Sequence, residues 1–124
     1  IYGAPIGEAT RFVMDFSELG SFLDEPVKTY STGMRARLAF ALSMAIDFDC
    51  YLIDEIVAVG DRRFHDKCHD ELFVKRQSKA MIIVSHDPHY ISQHCDRACV
   101  LVKGRLHHFD AIEEAYVFFN GLFR

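Results

Sequence analysis

The sequence has no long hydrophobic run. Its longest, Leu38 to Ile46, is nine residues and includes Ser43, whereas a helix that spans a bilayer needs about 20. It has no basic excess either. Fourteen Lys and Arg stand against 18 Asp and Glu, for a formal charge of −4. A nucleic-acid binder usually carries a basic stripe or patch, so nucleic acid is not an expected partner. No internal repeat or low-complexity tract is present. Cysteine is sparse and unpaired: Cys50, Cys68, Cys95 and Cys99 form no CxxC, which argues against a disulfide framework and for a reduced, intracellular setting.

What is present is ordinary globular material. Half of the 124 residues are apolar and 26% are charged, enough for one domain with a modest core. Cys50 and Cys99 lie in strand-like runs and are expected as small core residues. The chain begins at Ile1 and its first methionine is Met14, mid-pattern in a helix; a piece of a longer protein is the expectation.

Periodicity divides the chain. Phe12, Val13, Phe16 and Leu19 recur at near-helical spacing, with Gly20 as the expected terminator. Pro26 stops any helix through "DEPVKTY" and biases Glu25 to extended geometry. The pattern predicts a helix over residues 33–46, with Leu38, Ala41, Leu42 and Ala45 as its apolar stripe. A short buried strand over 50–53 follows, then a helix over 61–75 with Phe64, Cys68, Leu72 and Phe73 inward. "AMIIVSH" reads as a second strand and Pro88 as the start of a short helix. "ACVLVKGRLHHF" reads as a hairpin about Lys103-Gly104, and residues 111–119 as a closing helix. Strand and helix in alternation point to an α/β domain with a parallel sheet. Ligands of such sheets gather at the carboxyl ends of strands. That rule selects Asp54-Glu55 and His86-Asp87.

Two adjacent acids at the end of an apolar strand are costly to bury unless a cation meets them. Magnesium held by Asp54 and a water activated by Glu55 is one reading of "LIDE"; a solvated strand end is the other. His86 has two readings as well, a phosphate donor at the second strand end or a packed or exposed histidine. Ser31-Thr32-Gly33 opens a helix, where small residues let backbone N–H groups approach an anion, or where Ser31 or Thr32 simply caps the helix.

Taken together, these pieces resemble the ATP-binding-cassette ATPases. "YSTGM" resembles their signature motif, usually LSGGQ, with Asp54 24 residues after Tyr30 and Arg37 where the signature helix commonly carries arginine. "CYLIDE" resembles a Walker B strand with its catalytic glutamate, "AVGD" (Ala58 to Asp61) the D-loop, and "IIVSHD" the switch-histidine region. The spelling from "EPVKTYSTGM" to "AVGD" resembles the ATPase subunits of bacterial capsular polysaccharide exporters, and the likeness extends from "IYG" to the last helix. Related exporters of O-antigen and teichoic-acid chains share the YS-small-GM spelling. Met34 stands where many family members have Gln, Thr32 replaces the first Gly, and Ile56 follows the glutamate where Pro is common. The larger departure is that no G-x-x-x-x-G-K-[ST] occurs, so the phosphate cradle of the family is missing.

The resemblance implies the C-terminal part of a P-loop nucleotide-binding domain. Residues 1–46 would be a helical subdomain portion ending in the signature helix. Residues 47–124 would belong to the ATPase core, with parallel strands, helices and a C-terminal hairpin. It implies ATP and Mg2+ as cofactors, Asp54 as the magnesium residue, Glu55 and His86 as catalytic residues, and Asp61 as the D-loop aspartate. Ser31, Thr32, Gly33 and Met34 would meet the nucleotide of a partner subunit. The implied partners are a second copy arranged head to tail and an integral-membrane permease, at the cytoplasmic face of the bacterial inner membrane. Three other readings of the residues stay open: a non-transport cassette ATPase, a non-catalytic interaction module, and a metal site from His89, His94, Cys95 and Cys99. "HDKCHDE" and His107-His108 read as solvated surface, and Phe118, Phe119, Leu122 and Phe123 as core or dimer contact.

Overall fold

A computed structural model describes residues 3–55 and 60–123. Helices α1 (Ile6–Ser17) and α2 (Thr32–Met44) come first, separated by 3₁₀ turns at Gly20–Asp24 and Val27–Thr29. Strand β1 (Cys50–Asp54), helix α3 (Arg62–His69), strand β2 (Ala80–Val84) and helix α4 (Pro88–His94) follow. Strands β3 (Ala98–Val102) and β4 (Arg105–Phe109) and helix α5 (Ile112–Gly121) complete the order. The class is α/β, with β1 beside β2 in one two-stranded sheet and β3 beside β4 in another. The described residues fall into two units: those up to Tyr51 with Gly60 to Ala80, and Leu52 to Glu55 with Met81 to Phe123.

In the first unit α1 packs on α2. Their apolar faces and that of α3 share one core of Val13, Phe16, Ala41, Phe64 and Cys68. The Phe16 ring stacks on Phe40 and meets Phe64 edge-on, each at 5.7 Å between centroids. Phe64 is fully buried, so truncating it to alanine would cost about 3–5 kcal/mol. The N-termini of α2 and α3 are closed by their own sequence, whereas α1 starts after Pro5 with no side-chain cap. Ser31 Oγ accepts the Met34 N–H at 3.2 Å to cap α2, and Asp61 Oδ1 accepts the Phe64 N–H at 2.9 Å to cap α3.

Several expectations change. α1 ends at Ser17, and it is Glu18, not Gly20, that takes the left-handed cap, at φ 54. Glu18 holds that conformation while its carboxylate receives Arg63 and Lys67. The helix over 61–75 is α-helical only to His69 and then widens to a π-helical turn, Asp70–Val74. β1 is buried on one face only: Tyr51 and Ile53 are inside, while Cys50, Leu52 and Asp54 are exposed. Cys50 and Cys99 are exposed, and Cys68 is the buried thiol. "HDKCHDE" is not all surface either: Cys68 lies inside, as the helical pattern placed it, and so does Glu71.

In the second unit the hairpin forms in the expected register, Ala98 opposite Phe109 through Val102 opposite Arg105. Lys103 and Gly104 turn it with φ 47 and 80, the double left-handed pair of a type I′ turn. α5 packs on both strands. Phe118 lies between His107 and Phe109, with centroids at 4.8 and 5.3 Å. Phe123 is 77% exposed. Among the described residues no helix is long and apolar enough to cross a membrane.

Candidate functional site

The acid pair ends β1. Alternation along the strand puts Asp54 on the exposed side with Leu52. Glu55 then breaks the alternation: its φ is 40, a left-handed conformation that costs a side-chain-bearing residue about 1–2 kcal/mol. Its backbone N–H donates to the Val84 carbonyl at 3.0 Å, which anchors it beside the end of β2. From there its carboxylate reaches His86, with Oε1 and Nδ1 2.6 Å apart. Both groups face solvent, His86 at 84% and Glu55 at 58% side-chain exposure. The pair is therefore a charge-assisted hydrogen bond on an open surface.

The turn carrying His86 is built locally. Ser85 Oγ accepts the Asp87 N–H at 3.0 Å, and Asp87 Oδ1 accepts the N–H groups of His89 and Tyr90. Pro88 supplies the first residue of α4. Asp54 has no cation or hydrogen-bond donor against it among the described residues. An exposed carboxylate of this kind suits a hard cation. Magnesium commonly keeps several waters and takes one or two protein carboxylates alongside phosphate oxygens.

Ser31, Thr32 and Gly33 are exposed and Met34 is half-buried, at the start of α2. A Cβ on Gly33 would meet only Ser31 Oγ, at 4.0 Å. Nothing among the described residues requires glycine there. Tyr30, just before, is buried, and its hydroxyl donates to the Phe22 carbonyl at 2.5 Å, which pins the turn at its base.

Asp61 belongs to the first unit, with the Ser31 turn; Asp54, Glu55 and His86 belong to the second. The second oxygen of Asp61 lies 3.6 Å from Arg37 Nη2, and Arg37 Nη1 lies 3.7 Å from Glu18. The Arg37 guanidinium sits 4.3 Å above the Phe64 ring centroid. Ile56 and Ala58, which entered the sequence comparison above, lie outside the described residues.

The sequence reading missed two charged clusters. Glu18 gathers Arg63, Lys67 at 2.9 Å and Arg37. The hydrogen bonds from Arg63 and Lys67 draw its pKa down to about 2. Glu71 is buried: burial pushes its carboxyl up, and the hydrogen bonds from Lys75 and Arg76 outweigh that and leave it below the ordinary value. Arg76 also donates to the Met44 carbonyl at 2.7 Å and to Tyr51 Oη at 3.0 Å. The i, i+4 spacing of Glu71 and Lys75 was the available clue. Partners 45 and 49 residues from Glu18 left none.

The four residues considered for a metal do not assemble. Among the described residues no group of three or more His, Cys, Asp or Glu side chains is placed to hold an ion. His94 meets the Tyr90 ring edge-on at 4.7 Å. Cys99 Sγ lies 3.0 Å from His108 Nδ1 across the hairpin.

No protein-family model matches the chain. It is 53% identical over 120 residues to the ATP-binding protein BexA of Haemophilus influenzae, a match covering 97% of this chain and 55% of the relative. It is 54% identical over 122 residues to the capsule polysaccharide export ATP-binding protein CtrD of Neisseria meningitidis, covering 98% and 56%. It is 52% identical over 98 residues to the polysialic acid transport ATP-binding protein KpsT of Escherichia coli, covering 79% and 45%. The chain spans about half the length of the curated relatives it matches.

Proposed function

We propose, for a chain that belongs to the family of capsule polysaccharide export ATP-binding proteins, that it forms the hydrolytic half of an ATPase subunit driving such export. The observation that carries the reading is the 2.6 Å contact between Glu55 and His86, next to Asp54, which has no partner among the described residues. Residues 1–46 act as part of a helical subdomain and residues 47–124 as part of the ATPase core. The hydrogen bonds Ala80 N–H to Asp49 and Glu55 N–H to Val84 support β1 and β2 running in the same sense, as parallel strands of a P-loop fold do. The phosphate cradle lies in a segment that this chain does not contain.

Asp54 would hold magnesium, whose charge would offset that developing on the phosphate oxygens. Glu55 accepts the proton of the attacking water. His86, bonded to Glu55 through Nδ1, orients that carboxylate and offers its other ring nitrogen to the γ-phosphate. Ser31, Thr32, Gly33 and Met34 present backbone N–H groups to the nucleotide of a second copy arranged head to tail; the open space at Gly33 suits that approach. Asp61 belongs to the same interface. The intact subunit works with an integral-membrane permease at the inner face of the bacterial inner membrane.

Glu55→Gln in the full-length protein tests this. General-base removal is expected to lower ATP hydrolysis at least about a hundredfold and to accumulate ATP-bound dimers on size-exclusion chromatography. Hydrolysis at the wild-type rate would end the assignment of Glu55 as base.

A further inference from the structure

We infer that Arg37 is a positioning residue, seated on Phe64 so that it ties Asp61 to the helix that begins at the Ser31-Thr32-Gly33 turn. The purpose of that tie rests on the reading above; the tie itself does not.

The seat is enclosed on the Phe64 side and open at Asp61, whose side chain is 62% exposed. The guanidinium lies 4.3 Å over the ring of Phe64, and Phe64 is fully buried. Nη2 faces Asp61 and Nη1 faces Glu18, at 3.6 and 3.7 Å, and the side chain is only 19% exposed. A Cβ on Gly60 would stand 3.3 Å from Arg37 Nε and 3.3 Å from Phe64 Cβ. Gly60 also has φ 75, so the residue before Asp61 is bare for two reasons that agree. A flat, delocalised cation that stacks and donates in its plane fits this slot, and a compact ammonium does not. Glu18 already holds Arg63 and Lys67, whereas the ion pair of Asp61 is with Arg37.

Asp61 is thereby shared. One oxygen caps α3 at the Phe64 N–H, and the other meets α2 through Arg37. Arg37 lies six residues beyond Ser31, under two turns along a continuous helix. A shift of the Ser31-Thr32-Gly33 turn on meeting a phosphate therefore moves Arg37, and with it Asp61 and the cap of α3. This is a contiguous physical link between the turn and a chain position six residues beyond Glu55.

The test uses Arg37→Ala, Arg37→Lys, Asp61→Asn and the double variant Arg37→Ala/Asp61→Asn in the full-length protein. Arg37→Ala is expected to speed amide exchange at Phe64 and to lower kcat for ATP about ten- to a hundredfold with KM within about twofold. Arg37→Lys keeps the charge without the stacking plane and falls between. The double variant falls no further than the worse single one, because the two residues act as a unit. Independent, multiplying losses would overturn the inference, as would an Arg37→Ala enzyme with wild-type kcat. If Arg37→Ala does not fold, Arg37→Lys and its double with Asp61→Asn decide the same question. Wild-type protein without ATPase activity would sink the functional reading, while unchanged exchange at Phe64 in Arg37→Ala would sink the tie alone.

Discussion

His86 Nδ1 and Glu55 Oε1 lie 2.6 Å apart at the ends of two neighbouring strands. The contact exists because Glu55 adopts φ 40 and its N–H is held by Val84.

If the pair works as a unit, its losses do not multiply. His86→Ala in the full-length protein is expected to lower kcat about a hundredfold or more. Combining it with Glu55→Gln should cost little beyond the worse single change. Single-turnover ATP hydrolysis measures this, and independent, multiplying losses would show that the 2.6 Å contact has no catalytic consequence.

Glu71 and Arg76 form a buried ion pair, at 5% and 13% side-chain exposure. Glu71→Leu leaves Arg76 inside without its counter-charge and is expected to destabilise by about 3 kcal/mol in urea unfolding. Replacing both, as Glu71→Leu with Arg76→Met, should recover most of that loss, since apolar volume then fills the site. A double variant no better than the single would mean that packing, and not the stranded charge, sets the cost.

Acid should loosen the end of α1. Glu18 has a folded pKa of about 2 against an ordinary 4.5. A depressed carboxyl contributes its full stability above about 4.5, and that contribution fades as pH falls toward 2. The melting temperature of wild type should exceed that of Glu18→Gln at pH 6, and the two should converge near pH 2. A gap that stays constant over that range would contradict the Arg63 and Lys67 hydrogen bonds as its source.

The hairpin turn offers a gain. Lys103 occupies a left-handed position at φ 47, where asparagine is favoured before glycine. Lys103→Asn is expected to stabilise by about 0.5 kcal/mol, and Gly104→Ala at φ 80 to destabilise by about 1 kcal/mol. Thermal melts of both variants check the signs.

Local physics is what a one-dimensional reading captures well. Ser31, Asp61 and Asp87 cap helices at their own N–H groups, Lys103-Gly104 turns the hairpin, and an apolar run delivers Asp54 and Glu55 to a strand end. Each depends on residues within a few positions of one another, so the sequence by itself determined them. Tertiary structure decided the rest. It chose Glu55 to meet His86, buried Glu71 inside a stretch that reads as surface, left Cys50 and Cys99 outside, and placed Arg37 between Asp61 and Glu18. Those outcomes depend on pairs tens of residues apart, where burial and charge are shared out by whichever side chains the packed helices and strands bring within reach.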